Sequence, residues 1–169
     1  RAKGGPFAAR RFLARFGGAL SVLLLLACAA GALLAPLIAL GYAGGLRDEP
    51  ARFALVVTLT RLLFPILALA GWAALATGVL NVLGNFTTPA LAPALQNVAM
   101  IAAPFALGTT MSGLGLDPIL ALAIGALIGG VLQILVQLPA LRRASMLPRL
   151  RLAPRDPEVR RALLLMAPL

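Results

Sequence analysis

Between Phe16 and Leu141 the chain carries six charged residues in 126 positions: Arg47, Asp48, Glu49, Arg52, Arg61 and Asp117. Those six cancel. A domain folded in water spends about a quarter of its residues on charge to cover its surface, and this segment cannot. It is written for hydrocarbon, where every backbone amide must be satisfied within the protein. Uncharged runs of 20 residues or more then point to membrane-spanning helices.

The whole chain is 61% hydrophobic and 12% charged, with mean hydropathy +0.98, which places it in the polytopic membrane class. Its net charge of +10 lies in the flanks. Residues 1–15 hold five basic side chains and no acidic one; residues 142–169 hold seven basic and two acidic. A sequence pI near 11.9 ordinarily raises nucleic acid as a partner. Short charged tails around an apolar centre offer no solvated basic face, so no nucleic acid is expected. Basic tails beside membrane spans instead mark the cytoplasmic side.

With Cys28 as the single cysteine, no intrachain disulfide forms. Histidine is absent and no acidic pair lies within the apolar stretch. Metal and acid–base chemistry lack side chains here, so no enzyme activity, metal or cofactor is expected. The chain opens at Arg1 and closes at Ala167-Pro168-Leu169, just as the apolar run from Ala162 begins. It reads as a piece of a longer polypeptide whose remainder is its first partner.

Four spans are expected, at about 16–40, 53–83, 90–107 and 119–141. The uncharged run 16–46 exceeds the ~7–15 residues of a signal-peptide core. Gly41 to Gly45 break the first helix, and Tyr42 fits headgroup depth. RDEPAR from Arg47 forms a polar link. Pro65 is expected to bend the second span, and the stretch from Asn81 to Pro89 punctuates the long uncharged region after it. Residues 1–15 and 142–161 are then cytoplasmic basic segments, and 162–169 starts a further helix. An even number of spans returns both ends to one side. The basic flanks make that side the cytoplasm.

Small residues recur four apart at Ala27/Gly31/Ala35, Ala70/Ala74/Gly78 and Ala121/Gly125/Gly129, stripes along which helices approach closely in lipid. Packing within one bundle is the favoured use of the Gly125–Gly129 pair over dimerisation. Gln133 and Gln137, at i and i+4, share a helix face that must point into protein or a wet cavity. Bonding between helices and lining a transport cavity both stand as readings. Arg61 is the one charge well inside a span. It either snorkels to the outer headgroups, the favoured reading, or faces an anionic substrate in an aqueous cleft.

Longer motifs then become recognisable. Thr60-Arg61-Leu62-Leu63-Phe64-Pro65-Ile66, followed by the run Gly78 to Phe86, resembles the fourth membrane helix of the MurJ/MviN lipid II flippases. Pro89 through Met100-Ile101, with Pro93, Gln96 and Asn97, resembles the start of the fifth. Gly129-Gly130-Val131-Leu132-Gln133 through Gln137-Leu138-Pro139 resembles the sixth. Pro148-Arg149 through Arg160-Arg161, then Met166-Ala167-Pro168, is similar to the cytoplasmic link into the seventh. The resemblance covers nearly the whole chain in order.

That resemblance implies an all-α polytopic membrane protein. These four helices would be the third to sixth of a six-helix bundle, within a MATE-like two-bundle transporter of the bacterial inner membrane. It implies a fragment of a carrier moving lipid II, the undecaprenyl diphosphate-linked peptidoglycan precursor, from inner to outer leaflet by alternating access. Lipid II and membrane lipids would be its partners. The family's principal substrate groups lie on helices outside this chain. Arg61 matches a basic family position. Pro65, Asn81, Pro93, Asn97, Gln133 and Gln137 match motif positions for helix shape and packing; Pro65, Gly78, Asn81, Pro93 and Asn97 are the structural and hinge candidates, and Arg61, Gln133 and Gln137 the cavity candidates. Asn85 departs from the family, where a basic residue is common. A multidrug or polysaccharide-lipid exporter of the same superfamily is the alternative, and a four-helix membrane scaffold is the alternative of another class.

Overall fold

The computed structural model describes residues 6–147, with side chains described from Arg10 onward. The expectations that fall on residues 1–5 and 148–169, including the basic linker and the start of a further helix, lie outside these residues. The described chain is all helical: α1 (Pro6–Ala43), a 3₁₀ turn (Gly44–Leu46), α2 (Pro50–Val82), α3 (Thr87–Gly113), α4 (Ile119–Leu135) and the short α5 (Leu138–Arg143). Four helical stretches are long and apolar enough to cross a membrane, with α4 and α5 together forming the fourth.

The helices outrun the expected spans. With 38 residues, α1 is about 57 Å long at 1.5 Å per residue, nearly twice a hydrocarbon core. It is already helical at Pro6, well ahead of Phe16, so Arg10, Arg11 and Arg15 ride on it. Long basic side chains are good helix formers, and the edge of the hydrocarbon gives the backbone no reason to stop. Likewise α3 runs on to Gly113 where 90–107 was expected. Pro36, Pro65, Pro93 and Pro104 all sit inside continuous helices.

Proline and glycine punctuation accounts for where helices do begin and end. Pro50 opens α2, a position where a missing N–H is harmless. Glu49, just ahead of α2, holds Arg52 at 2.8 Å in an exposed ion pair near the positive end of the helix dipole. Both α2 and α3 end the same way. Gly84 (φ +78°) donates to the Asn81 carbonyl and Asn85 to Leu80; Gly115 (φ +71°) donates to Ser112 and Leu116 to Met111. Each is a Schellman stop, in which glycine takes the left-handed conformation that a side chain disfavours. Asn85 then accepts from the Thr88 amide, and Asp117 from the Ile119 amide, satisfying early donors of α3 and α4.

The fourth span, expected as one helix over 119–141, breaks after Leu135. Pro139 has no N–H for the Leu135 carbonyl, and Gln137 N donates to Ile134, one residue short of helical register. The chain turns and restarts as α5.

The helices stand in a row, α1–α2–α4–α3, with α1 packing principally on α2 and α3 on α4. Paired residue numbers run oppositely along α1/α2 and α3/α4, so those neighbours are antiparallel. Along α2/α4 they rise together. Glycine sets the closest approaches. A Cβ on Gly129 would lie 2.7 Å from the Gln96 carbonyl, and one on Gly125 2.5 Å from Ala103 Cβ. Phe64 lies over Gly31 in the α1/α2 seam. The Ala121/Gly125/Gly129 stripe is thus buried against α3 of the same chain. On α2 the expected stripe turns outward: Ala70, Ala74 and Gly78 are exposed, while Ala73, Ala76 and Leu80 are buried. Large apolar side chains cover the outside, Leu33 at 79% and Phe105 at 84% exposure among them. Such a surface needs lipid or other helices against it.

Candidate functional site

Two polar clusters interrupt the apolar seams. The first lies between α1 and α2. Pro36 cannot donate to the Ala32 carbonyl, the acceptor one helical turn before it. Arg61 supplies the replacement, donating Nε–H to that oxygen at 3.3 Å. The Arg61 side chain is exposed on the protein surface. On the two sides of Arg61, Tyr42 donates its hydroxyl to Thr60 Oγ1 at 2.6 Å, since the Thr60 hydroxyl is itself spent on the Val56 carbonyl. Cys28 Sγ donates to the Phe64 carbonyl, immediately before Pro65. Three side-chain bonds therefore stitch α1 to α2 around its single intramembrane charge.

The second cluster lies where α2 meets the α4–α5 break. Gln137 is completely buried. The turn at Val136 and Gln137 withdraws a backbone amide from the Gln133 carbonyl. Gln137 replaces it with its own Nε2, 2.9 Å away, and also approaches the Ala73 carbonyl at 3.5 Å. Its Oε1 accepts from the Thr77 hydroxyl at 3.1 Å. Every hydrogen-bonding atom of this amide side chain is thus engaged by protein. A polar group in hydrocarbon without such partners is costly, and the cluster fixes α4 against α2.

The residues singled out from sequence are distributed along the row. Gln133 and Gln137 come together with Thr77, whereas Arg61 belongs to the other seam. Pro65, Asn81, Pro93 and Asn97 are exposed, and the Asn81 carbonyl takes part in the stop of α2. Gly78 is exposed, and a Cβ there would meet nothing within 4 Å. Sequence reading gave no role to Ala32 or Thr60, and it marked Thr77 as a polar residue at membrane depth without naming its partner. Pro36, four residues after Ala32, was the available signal for the first. Among the described residues no three His, Cys, Asp or Glu side chains gather as a metal site.

Comparison with known proteins gives one consistent result. The family model described as Lipid II flippase MurJ matches residues 2–169. A Burkholderia cenocepacia protein named lipid II flippase MurJ is 42% identical over 130 residues, covering 75% of this chain and 24% of that protein. A probable lipid II flippase MurJ of Haemophilus influenzae is 34% identical over 155 residues, 90% of this chain and 30% of that protein. One from Rhizobium meliloti is 33% identical over 168 residues, 97% of this chain and 31% of that protein. The chain thus spans about a quarter to a third of the length of these relatives.

Proposed function

This chain belongs to the lipid II flippase MurJ family, and from that premise we propose that it works as four consecutive helices of a two-bundle carrier for lipid II in the bacterial inner membrane. The observation that supports this most strongly is the family match over residues 2–169. The row of α1, α2, α4 and α3 leaves broad apolar faces, suited to lipid on one side and to further helices of the carrier on the other. Both ends of the chain lie in the cytoplasm, as the basic flanks favour.

The physical task is to move a diphosphate-sugar headgroup through hydrocarbon, where a bare charge costs at least several kcal/mol. A wet cleft between two bundles shields the headgroup while the polyprenyl tail stays in the bilayer. Rocking of the bundles opens the cleft to each leaflet in turn, carrying the headgroup outward. No covalent bond is made or broken, so the protein is a transporter.

Arg61 is the residue of this chain assigned to the cleft. Its Nε is engaged by the Ala32 carbonyl, and guanidinium has further N–H donors that match phosphate geometry. Bonded to α1 while carried by α2, it couples the shape of both helices to the presence of an anion. Gln137, buried and fully engaged, holds the α2/α4 seam rigid, so that the helices move as one body.

The test is a chimera in which this chain replaces the matching segment of the Burkholderia cenocepacia relative, with lipid II arrival in the outer leaflet as the readout. Arg61→Ala should slow arrival by about tenfold, the effect of losing roughly one charge-assisted contact. Arg61→Lys should retain part of it. Unchanged arrival for Arg61→Ala, at equal membrane abundance, would remove Arg61 from the headgroup path.

A further inference from the structure

Two cavities at the same end of the row share a wall. The first, about 330 Å³, lies where the α2–α3 turn meets α5, and is lined by Asn85, Thr88, Val136, Pro139 and Arg143. The second, about 650 Å³, is a groove between α1 and α2 walled by Phe12, Phe16, Ala74, Gly78 and Met146. Leu83 lines both. Both volumes fall in the range of about 300–1,000 Å³ typical of ligand sites.

Across Leu83 the chemistry changes. On one side the lining includes Arg143, Thr88 and Asn85. The Asn85 Oδ1 accepts from the Thr88 backbone amide at 3.2 Å, which presents its NH₂ as a further donor. On the other side the lining is hydrocarbon. Phe12 and Phe16 stack with centroids 5.7 Å apart and form one wall. The groove closes where α1 and α2 touch, at Leu24 against Gly71, whose added Cβ would lie 2.5 Å from Leu24 Cδ1. A cationic, donor-rich pocket set across one side chain, Leu83, from an apolar groove matches an amphiphile whose anionic head and apolar tail lie on the two sides of that residue. The paired Arg142 and Arg143 place this end at headgroup depth.

We propose that the Arg143 pocket and the Phe12–Gly78 groove together hold one anionic phospholipid, its phosphate beside Arg143 and one acyl chain between α1 and α2. This goes beyond the transport reading and does not depend on it. The lipid is a fixed component of the seam that ties α1 to α2, and its binding needs no translocation.

The 169-residue chain, purified in a neutral detergent and offered equal amounts of phosphatidylglycerol and phosphatidylcholine, tests this by native mass spectrometry. The chain should retain phosphatidylglycerol about five-fold more than phosphatidylcholine, the preference one basic residue confers. Arg143→Gln should abolish the preference. Arg142→Gln removes the same charge one residue away, outside the pocket lining, and should leave it intact. Gly78→Leu projects into the groove, where an added Cβ meets no protein atom within 4 Å, and improves helix propensity. It should reduce retention of both lipids. Inorganic phosphate should not displace the bound lipid. The proposal fails if Arg142→Gln and Arg143→Gln act alike, which would mean diffuse surface charge. It fails if Gly78→Leu retains lipid as before, or if Gly78→Leu dissolves a dimer, since a second copy would then be the occupant. Displacement by an equimolar polyprenyl diphosphate would assign the site to the transported lipid instead.

Discussion

Arg61 Nε stands 3.3 Å from the Ala32 carbonyl, an oxygen that Pro36 leaves without its helical amide. A proline inside a membrane helix normally leaves such an acceptor to be satisfied by a neighbour or a local side chain. Here the neighbour's contribution is a cation, on the adjacent helix and inside a span. The arrangement gives Arg61 a structural duty in the α1/α2 seam as well as the headgroup role proposed for it.

If Arg61 serves the carbonyl orphaned by Pro36, the two positions must be coupled. Arg61→Ala should destabilise the chain by about 1 kcal/mol, the scale of a hydrogen bond between membrane helices. In a Pro36→Ala background the amide of residue 36 serves Ala32, and the loss should shrink by half or more. Unfolding in mixed micelles measures both, and equal losses in the two backgrounds would uncouple them.

Glycine tolerance should divide sharply between the two faces. Gly129→Ala drives a Cβ to 2.7 Å from the Gln96 carbonyl and should cost about 1–3 kcal/mol. Gly78→Ala meets open space and should be neutral or stabilising by up to about 1 kcal/mol. Thermal unfolding in detergent ranks the pair, and a reversed order would contradict the row α1–α2–α4–α3.

Thr77 and Gln137 should behave as one unit. Gln137→Ala strands the Gln133 carbonyl and the Thr77 hydroxyl in an apolar seam, with an expected loss of about 2–3 kcal/mol. Thr77→Val should cost less than about 1 kcal/mol, and nothing further once Gln137 is gone. Additive losses in a double-mutant cycle would show that the 3.1 Å contact carries no energy.

Ser145 stops α5 with φ +55°, donating to the Arg142 carbonyl while Met146 donates to Leu141. It is the same stop that Gly84 and Gly115 make, built with a side chain in the left-handed region. Ser145→Gly should therefore stabilise by about 1 kcal/mol. A loss of stability on the same thermal scale would mean that the hydroxyl holds a partner worth more than the strain.

The four long apolar helices were legible because charge is absent where hydrocarbon must be. Helix ends were less so. A span ends where its solvent changes, but a helix ends where hydrogen bonds fail, so Arg10–Arg15 continue α1 and the Pro139 gap divides the fourth span. Facing was the least legible. On α2, Ala70, Ala73, Ala74, Ala76 and Gly78 put small residues on several sides, and spacing alone selected the outward stripe. The shared face of Gln133 and Gln137 followed from i, i+4 geometry. That one would return its amide to the other's carbonyl depended on a backbone break that Pro139 only hinted at. The partner of Arg61 depends on the rotation of α1, which a nearly uniform apolar sequence does not specify.

The most direct test of the central proposal is the unmodified chimera, this chain in place of the matching segment of the Burkholderia cenocepacia relative, in cells depleted of their own flippase. Lipid II should reach the outer leaflet at a rate within about tenfold of the parent protein. A chimera that inserts at normal abundance and moves no lipid II would contradict it.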